Sequence, residues 1–121
     1  MEKITSFTQL TVWQKGHNIV LDIYRVTKTF PKEELFSLTD QIRRAAVSIT
    51  SNIAEGFGRQ SKKEKIQFYY ISLGSSTELQ NQLLISKDIG YLNSQEFKLI
   101  ADKTVEFRKM LNALINKIKH G

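Results

Sequence analysis

Apolar residues recur at helical spacing in four stretches of the chain, and no stretch shows the strict alternation of a half-buried strand. From about Gln9 to Thr29, residues Trp13, Gly16, Val20, Ile23, Tyr24 and Thr27 line one face, with Val12, Ile19 and Val26 on a flanking line. The second stretch, about Leu38 to Phe57, places Ile42, Ala45, Ala46, Ile49, Ile53 and Phe57 on one side. The third, from Lys62 to about Ile89, is ambiguous. Phe68, Leu79 and Leu83, with Ser72, Ser75 and Ser86 between them, mark one face; Ile66, Tyr70, Leu73 and Leu84 mark another, well over 90° away. The fourth reads as a clean heptad seam of Phe97, Ile100, Thr104, Phe107, Leu111, Leu114 and Ile118.

Local signals punctuate these stretches. The residues before Gln9 lack a period and form a short lead-in. Phe30-Pro31, holding the only proline, closes the first helix, because proline disfavours helical geometry in the residue before it. Ser37, three residues ahead of Asp40, predicts an N-cap for the second helix. Gly56 and Gly58 supply residues able to end that helix at positive φ. Ser61 with Glu64, and Asn93 with Glu96, are capping boxes that open helices three and four, and Gly90 stops helix three. Four long helices with short links predict an all-α, antiparallel up-down four-helix bundle, with residues 1–121 as one domain.

Two of these helices carry more apolar surface than one interface needs. Val47 and Ala54 point away from the core stripe of helix two, one heptad apart, where a solvated helix is normally charged. On helix three, Tyr70 and Leu73 belong to the second face. Both pairs are candidate contacts of a homo-oligomer.

Composition narrows the chemistry. There is no cysteine, so neither disulfides nor thiolate metal sites are available. No apolar run has membrane-spanning length and the N-terminus has no signal-like apolar core, which predicts a cytoplasmic protein without membrane contact. His17 and His120 have no second ligand at helical spacing, and Glu-x-x-His is absent, so no metal site is expected; His17 reads as a partly buried flank residue. Neither a nucleophile elbow nor a phosphate-binding loop is present. Glu55 and Glu78 are carboxylates without a partner for acid–base work, better suited to capping and polar contacts. No catalytic residue and no cofactor are predicted.

Charge is the remaining feature. Eighteen Lys and Arg against twelve acids give a net charge of +6. Arg43 and Arg44 flank the outer apolar line of helix two, while Arg59, Lys62, Lys63 and Lys65 cluster around the turn into helix three. Lysines at a helix N-terminus oppose the macrodipole, so a polyanion such as RNA or DNA is one reason for keeping them there. Two readings stay open: an oligomeric nucleic-acid-binding protein, and a protein-interaction scaffold whose basic surface meets an acidic partner or maintains solubility.

The blocks FPKEE (30–34), QIRRAAVSI (41–49), SNIAEGFGR (51–59) and GSSTELQNQL (74–83), with Gly90-Tyr91, carry a resemblance over nearly the whole chain. The sequence resembles the four-helix-bundle family encoded in intervening sequences of 23S ribosomal RNA genes. Relatives of that family include the accessory variability determinant of diversity-generating retroelements. The resemblance implies an up-down bundle and, as in structurally known relatives, a homopentameric barrel with a basic surface; it does not imply an enzyme. The retroelement relative binds nucleic acid and a reverse transcriptase, and Arg43, Arg44 and Arg59 fall in the matching blocks. Two positions depart from the common pattern. Ser37 stands where glycine is frequent, implying a better N-cap, and Thr50 where proline or alanine is frequent, implying a straighter helix.

Overall fold

A computed structural model describes residues 3–121, leaving the first two residues of the expected domain outside the described part. Four helices, α1 (Thr11–Thr27), α2 (Leu38–Gly58), α3 (Lys62–Asp88) and α4 (Ser94–His120), form the fold, with 3-10 turns at Phe7–Gln9 and Lys32–Glu34. Each helix runs antiparallel to the next, as the cross-helix pairs show. Gly16 on α1 lies against Thr50 on α2, Gly56 against Tyr69, and Arg108 on α4 bonds back to Leu73 on α3. The ring closes between α4 and α1, where Arg25 meets Glu96, Asp22 meets Lys103 and Lys15 meets Glu106.

The core is a column of branched aliphatic side chains with one phenylalanine, Phe107. Ile19, Ile23, Ile42, Ile49, Ile53, Leu79, Leu83, Ile100, Phe107 and Leu111 are completely buried. Each such burial contributes about 1.5–3 kcal/mol over leaving the side chain in water. On α2 the buried line is as expected except that Phe57 is only half-buried. On α3 the face with Ser72, Leu79, Leu83 and Ser86 is the core.

Its serines are buried at little cost because each hydroxyl finds a backbone carbonyl. Ser72 donates to Ile49 O at 2.7 Å across the α2–α3 contact, and Ser86 to Gln82 O at 2.8 Å. Small side chains let these two helices approach closely, and Ser48 and Ser75 hydroxyls meet at 2.8 Å.

Several details differ from the sequence expectation. On α1 the flanking line Val12, Ile19, Val26 is the buried one, together with Gly16, Ile23 and Thr27; Trp13 and Val20 are half-buried and Tyr24 is exposed. Helix α1 stops at Thr27, ahead of Phe30-Pro31. The α4 seam leaves the strict heptad after Leu111, burying Ile115 while Leu114 and Ile118 are half-buried. A straight helix drifts about 20° per heptad from a 3.5-residue repeat, and the four-residue step absorbs that drift.

The lead-in is ordered by a capping box that the pattern of apolar residues does not reveal. Ser6 Oγ accepts from Thr8 N at 3.2 Å, and Gln9 Oε1 accepts from Ser6 N at 3.0 Å.

The helix termini divide in the same way. Ser61 Oγ accepts from Glu64 N at 3.1 Å and Asn93 Oδ1 from Glu96 N at 2.8 Å, the N-cap half of each expected capping box. The return bond from the cap N–H to the glutamate does not form, and the Glu96 carboxylate meets Arg25 instead. Gly90, at φ +87°, ends α3. Tyr91 N bonds to Ser86 O at 2.9 Å and Gly90 N to Lys87 O at 3.0 Å, the paired bonds of a Schellman motif.

Ser37 makes no side-chain cap bond: at φ −128° and ψ −110° it lies outside the extended geometry of an N-cap. Gly56 and Gly58 have no positive φ. Gly56 is instead a contact residue, and α2 ends where Arg59 turns extended.

Candidate nucleic-acid interface

The six candidate cations occupy two places. Arg43 and Arg44 sit near the start of α2, Arg59 just past its end; fifteen residues of helix separate Arg44 from Arg59 by roughly 22 Å. The first group borders an open groove of about 560 Å³ between α1 and α2, lined by Tyr24, Asp40, Arg43, Arg44, Val47 and Ser48. Arg43 Nε donates to Thr27 Oγ1 at 2.9 Å, and its guanidinium lies 4.9 Å from the centre of the Tyr24 ring. Arg44 is exposed and pairs with Asp40 at 2.9 Å, one helical turn back.

The second group surrounds the α2–α3 turn. Lys65 Nζ donates to Phe57 O at 2.7 Å and to Gly56 O at 3.4 Å, so its charge satisfies the C-terminal carbonyls of α2. One lysine that opposes the α3 dipole therefore complements the α2 dipole. Lys62 Nζ donates to Gly121 O at 2.9 Å, and Arg59 pairs with Glu55 at 3.2 Å. Lys63 is exposed and has no hydrogen-bond or ion-pair partner among the described residues.

Of the four interface candidates, Val47 is 39% exposed in the α2 groove and Tyr70 is 44% exposed. Ala54 is half-buried in a hollow shared with Phe7, Gly58 and Arg59, and Leu73 is half-buried against the core.

The antiparallel fold adds a feature that no single stretch displays. The contacts of Gly16 with Ile49, Thr50 and Phe107, of Ser72 with Ile49, and of Arg108 with Leu73 define a middle layer of the bundle. On one side of it lie residues 3–18, 49–74 and 108–121, with ten Lys and Arg against two acids, Glu55 and Glu64. On the other side, residues 19–48 and 75–107 hold eight Lys and Arg against nine acids. The boundary pair, Lys15–Glu106 at 2.8 Å, neutralises itself. The positive charge of the chain is thus gathered at the end built from the starts of α1 and α3 and the ends of α2 and α4. Lys109, Lys117 and Lys119 on α4 join the predicted cations there, and sequence reasoning passed over them because they are fifty residues away along the chain.

The family model described as 23S rRNA-intervening sequence protein matches residues 8–113. The chain belongs to this family. A solved structure of similar fold is that of a protein of unknown function from the S23 ribosomal protein family of Bacteroides thetaiotaomicron, at 1.70 Å resolution. Its TM-score is 0.81 and its identity 24%, over 87% of this chain and 98% of that one, a likeness of fold. No curated protein matches the chain.

Family membership leaves the site chemistry to the residues. Among the described residues no group of three or more His, Cys, Asp or Glu is placed to hold a metal ion. His17 is exposed, not partly buried, and stacks on Trp13 with ring centres 4.7 Å apart. Glu55 pairs with Arg59 at the charged end, while Glu78 accepts from Gln82 in the opposite half, so the two carboxylates do not converge. Among the described residues no helix is long and apolar enough to cross a membrane.

Proposed function

We propose that this family member is a non-enzymatic, homo-oligomeric accessory protein of the cytoplasm that binds nucleic acid, RNA foremost, through the cationic end of its bundle. The observation that carries the reading is the segregation of charge: among the described residues, ten cations against two acids in one half of the molecule. A field of that shape attracts a polyanion and orients it at one end. Self-association is supported by apolar side chains left in water on the outer surfaces of α2 and α3, Val47 and Leu84 among them, flanked by Ala54 and Leu73. Fivefold closure and a reverse transcriptase as protein partner are the forms that the resemblance to the retroelement relative suggests.

Binding of a structured RNA across a salt series tests the function. Log K should fall linearly with log salt, by about 0.7–0.9 per phosphate neutralised. Replacing Arg59, Lys62 and Lys63 together by Ala should flatten that slope, and replacing Arg43 and Arg44 should flatten it less. Absence of binding at low salt, or a slope indifferent to the triple replacement, overturns the proposal.

One observation favours the scaffold alternative. Phe36 is 92% exposed beside Leu35 at 47%, an aromatic–aliphatic pair at the connection between α1 and α2, in the half without net positive charge. A protein partner retained after nuclease treatment and released by Phe36→Ser would favour that reading.

A further inference from the structure

The cationic end carries aromatic rings as well as charge, and the two are paired. Arg59 lies 4.7 Å from the centre of the Phe68 ring, Lys65 5.4 Å from that of Phe57, and Lys119 5.1 Å from that of Tyr70. Tyr70 is 44% exposed, and its hydroxyl accepts from Lys119 Nζ, which ties α4 to the first third of α3. Phe57 and Phe68 are half-buried.

A surface meant only for duplex phosphates needs cations without exposed rings. Surfaces that hold unpaired strands combine a cationic track with aromatic faces on which bases stack. A stacked base gains on any exposed ring, because every base has a π-face, so such a surface tolerates any sequence. The cation already seated over each ring is positioned for the phosphate beside a base stacked there.

We infer that the cationic end of the bundle binds single-stranded nucleic acid, with Tyr70 as its exposed stacking platform and Lys63 and Lys119 as its phosphate contacts. This rests on the nucleic-acid reading of the same end and adds the form of the ligand. Tyr70 accordingly serves the ligand and not the oligomer interface. Lys65 holds the α2 carbonyls and keeps the turn in place.

Titrate the full chain at low salt with a fluorescein-labelled 20-nucleotide oligouridylate, a 20-base-pair duplex RNA, and an abasic 20-mer that keeps the phosphates and lacks the bases. The single strand should bind at least tenfold more tightly than the abasic strand. Tyr70→Ala should weaken single-strand binding roughly 5- to 100-fold, the range of one lost base–aromatic stack. It should leave duplex and abasic binding unchanged, and Tyr70→Phe should keep most of the single-strand affinity. An unchanged melting temperature for Tyr70→Ala separates lost stacking from lost fold. Equal affinity for all three ligands, with Tyr70→Ala without effect, overturns this inference and leaves the nucleic-acid reading standing. No binding of any of the three overturns both. Running the same titration with oligodeoxythymidylate shows whether the site distinguishes RNA from DNA.

Discussion

Gly56 and Tyr69 touch so closely that no side chain fits between them. A Cβ built on Gly56 would lie 2.7 Å from Cε1 of the Tyr69 ring and 3.1 Å from the Cβ of Phe68. The ring is buried and cannot swing aside, so α2 and α3 meet here through bare backbone. The contact also explains the glycine in a helical segment, where it otherwise costs about 0.5–1 kcal/mol relative to alanine.

Gly56→Ala should therefore destabilise the bundle by about 1–3 kcal/mol, as overpacking of a rigid contact does. Gly58 provides the control. It is in the same helix with no atom within 4 Å of an added Cβ, so Gly58→Ala should be neutral or stabilising by up to about 1 kcal/mol. Urea unfolding of the two variants checks the contrast; equal effects would show that helix propensity, and not the Tyr69 contact, sets the requirement.

A second prediction concerns acid. Glu96 meets Arg25 at 2.8 Å, and the hydrogen bond and charge of that guanidinium hold the carboxyl below its ordinary value of 4.5. The same bond pushes the Arg25 guanidinium further up from its ordinary value, so the arginine stays charged throughout. Because the folded-state pKa is the lower one, the unfolded chain takes up the proton first as pH falls. The stabilisation is complete above 4.5 and is lost as pH drops below it through the folded value. Glu96→Gln should flatten the dependence of the urea midpoint on pH below about 4.5, where carboxylates titrate, and leave its shape above pH 6 unchanged.

Arg108 offers a third test. Its Nη1 donates to Leu73 O at 2.9 Å, Ser76 Oγ at 2.7 Å and Thr77 Oγ1 at 2.6 Å, so a cation of α4 gathers three acceptors of α3. Bonds to a charged donor contribute about 1.5–3 kcal/mol, and partly buried acceptors left unpaired add to the loss. Arg108→Met should cost about 2 kcal/mol in chemical unfolding while its aliphatic stem continues to pack. A change below about 0.5 kcal/mol, the size of an ordinary surface substitution, would mean that water replaces the guanidinium without loss.

How far these features can be read along the chain follows from their range. The caps at Ser61 and Asn93 and the stop at Gly90 depend on residues three to five positions apart, so the local sequence suffices for them. The core face of α3 does not stand out, because Ser72, Ser76 and Ser86 are buried polar residues whose partners are backbone carbonyls. A hydrophobic period undercounts such a face. Ser37 misleads for the opposite reason: the residue type suits a cap, and the backbone entering α2 does not. The cationic end is the least visible of all. Its charges come from separate segments on all four helices, and only the antiparallel register of the fold collects them.

The final prediction separates assembly from folding. Val47 is 39% exposed and lies one helical turn from Arg43 and Arg44, whose guanidinium groups border the same groove. A glutamate at this position falls at i+4 and i+3 from two arginines, and such pairs support an exposed helix by about 0.2–0.5 kcal/mol each. Val47→Glu should thus leave the melting temperature of the isolated bundle nearly unchanged. If Val47 and Ala54 form a contact between copies, the same substitution buries a charge in an apolar interface and should dissociate the oligomer. Light scattering at matched concentration reads the outcome: the parent chain should show a mass several times that of one chain, and Val47→Glu a mass close to one. A parent already at the mass of one chain refutes self-association. An oligomer indifferent to Val47→Glu moves the contact to the exposed residues of α3.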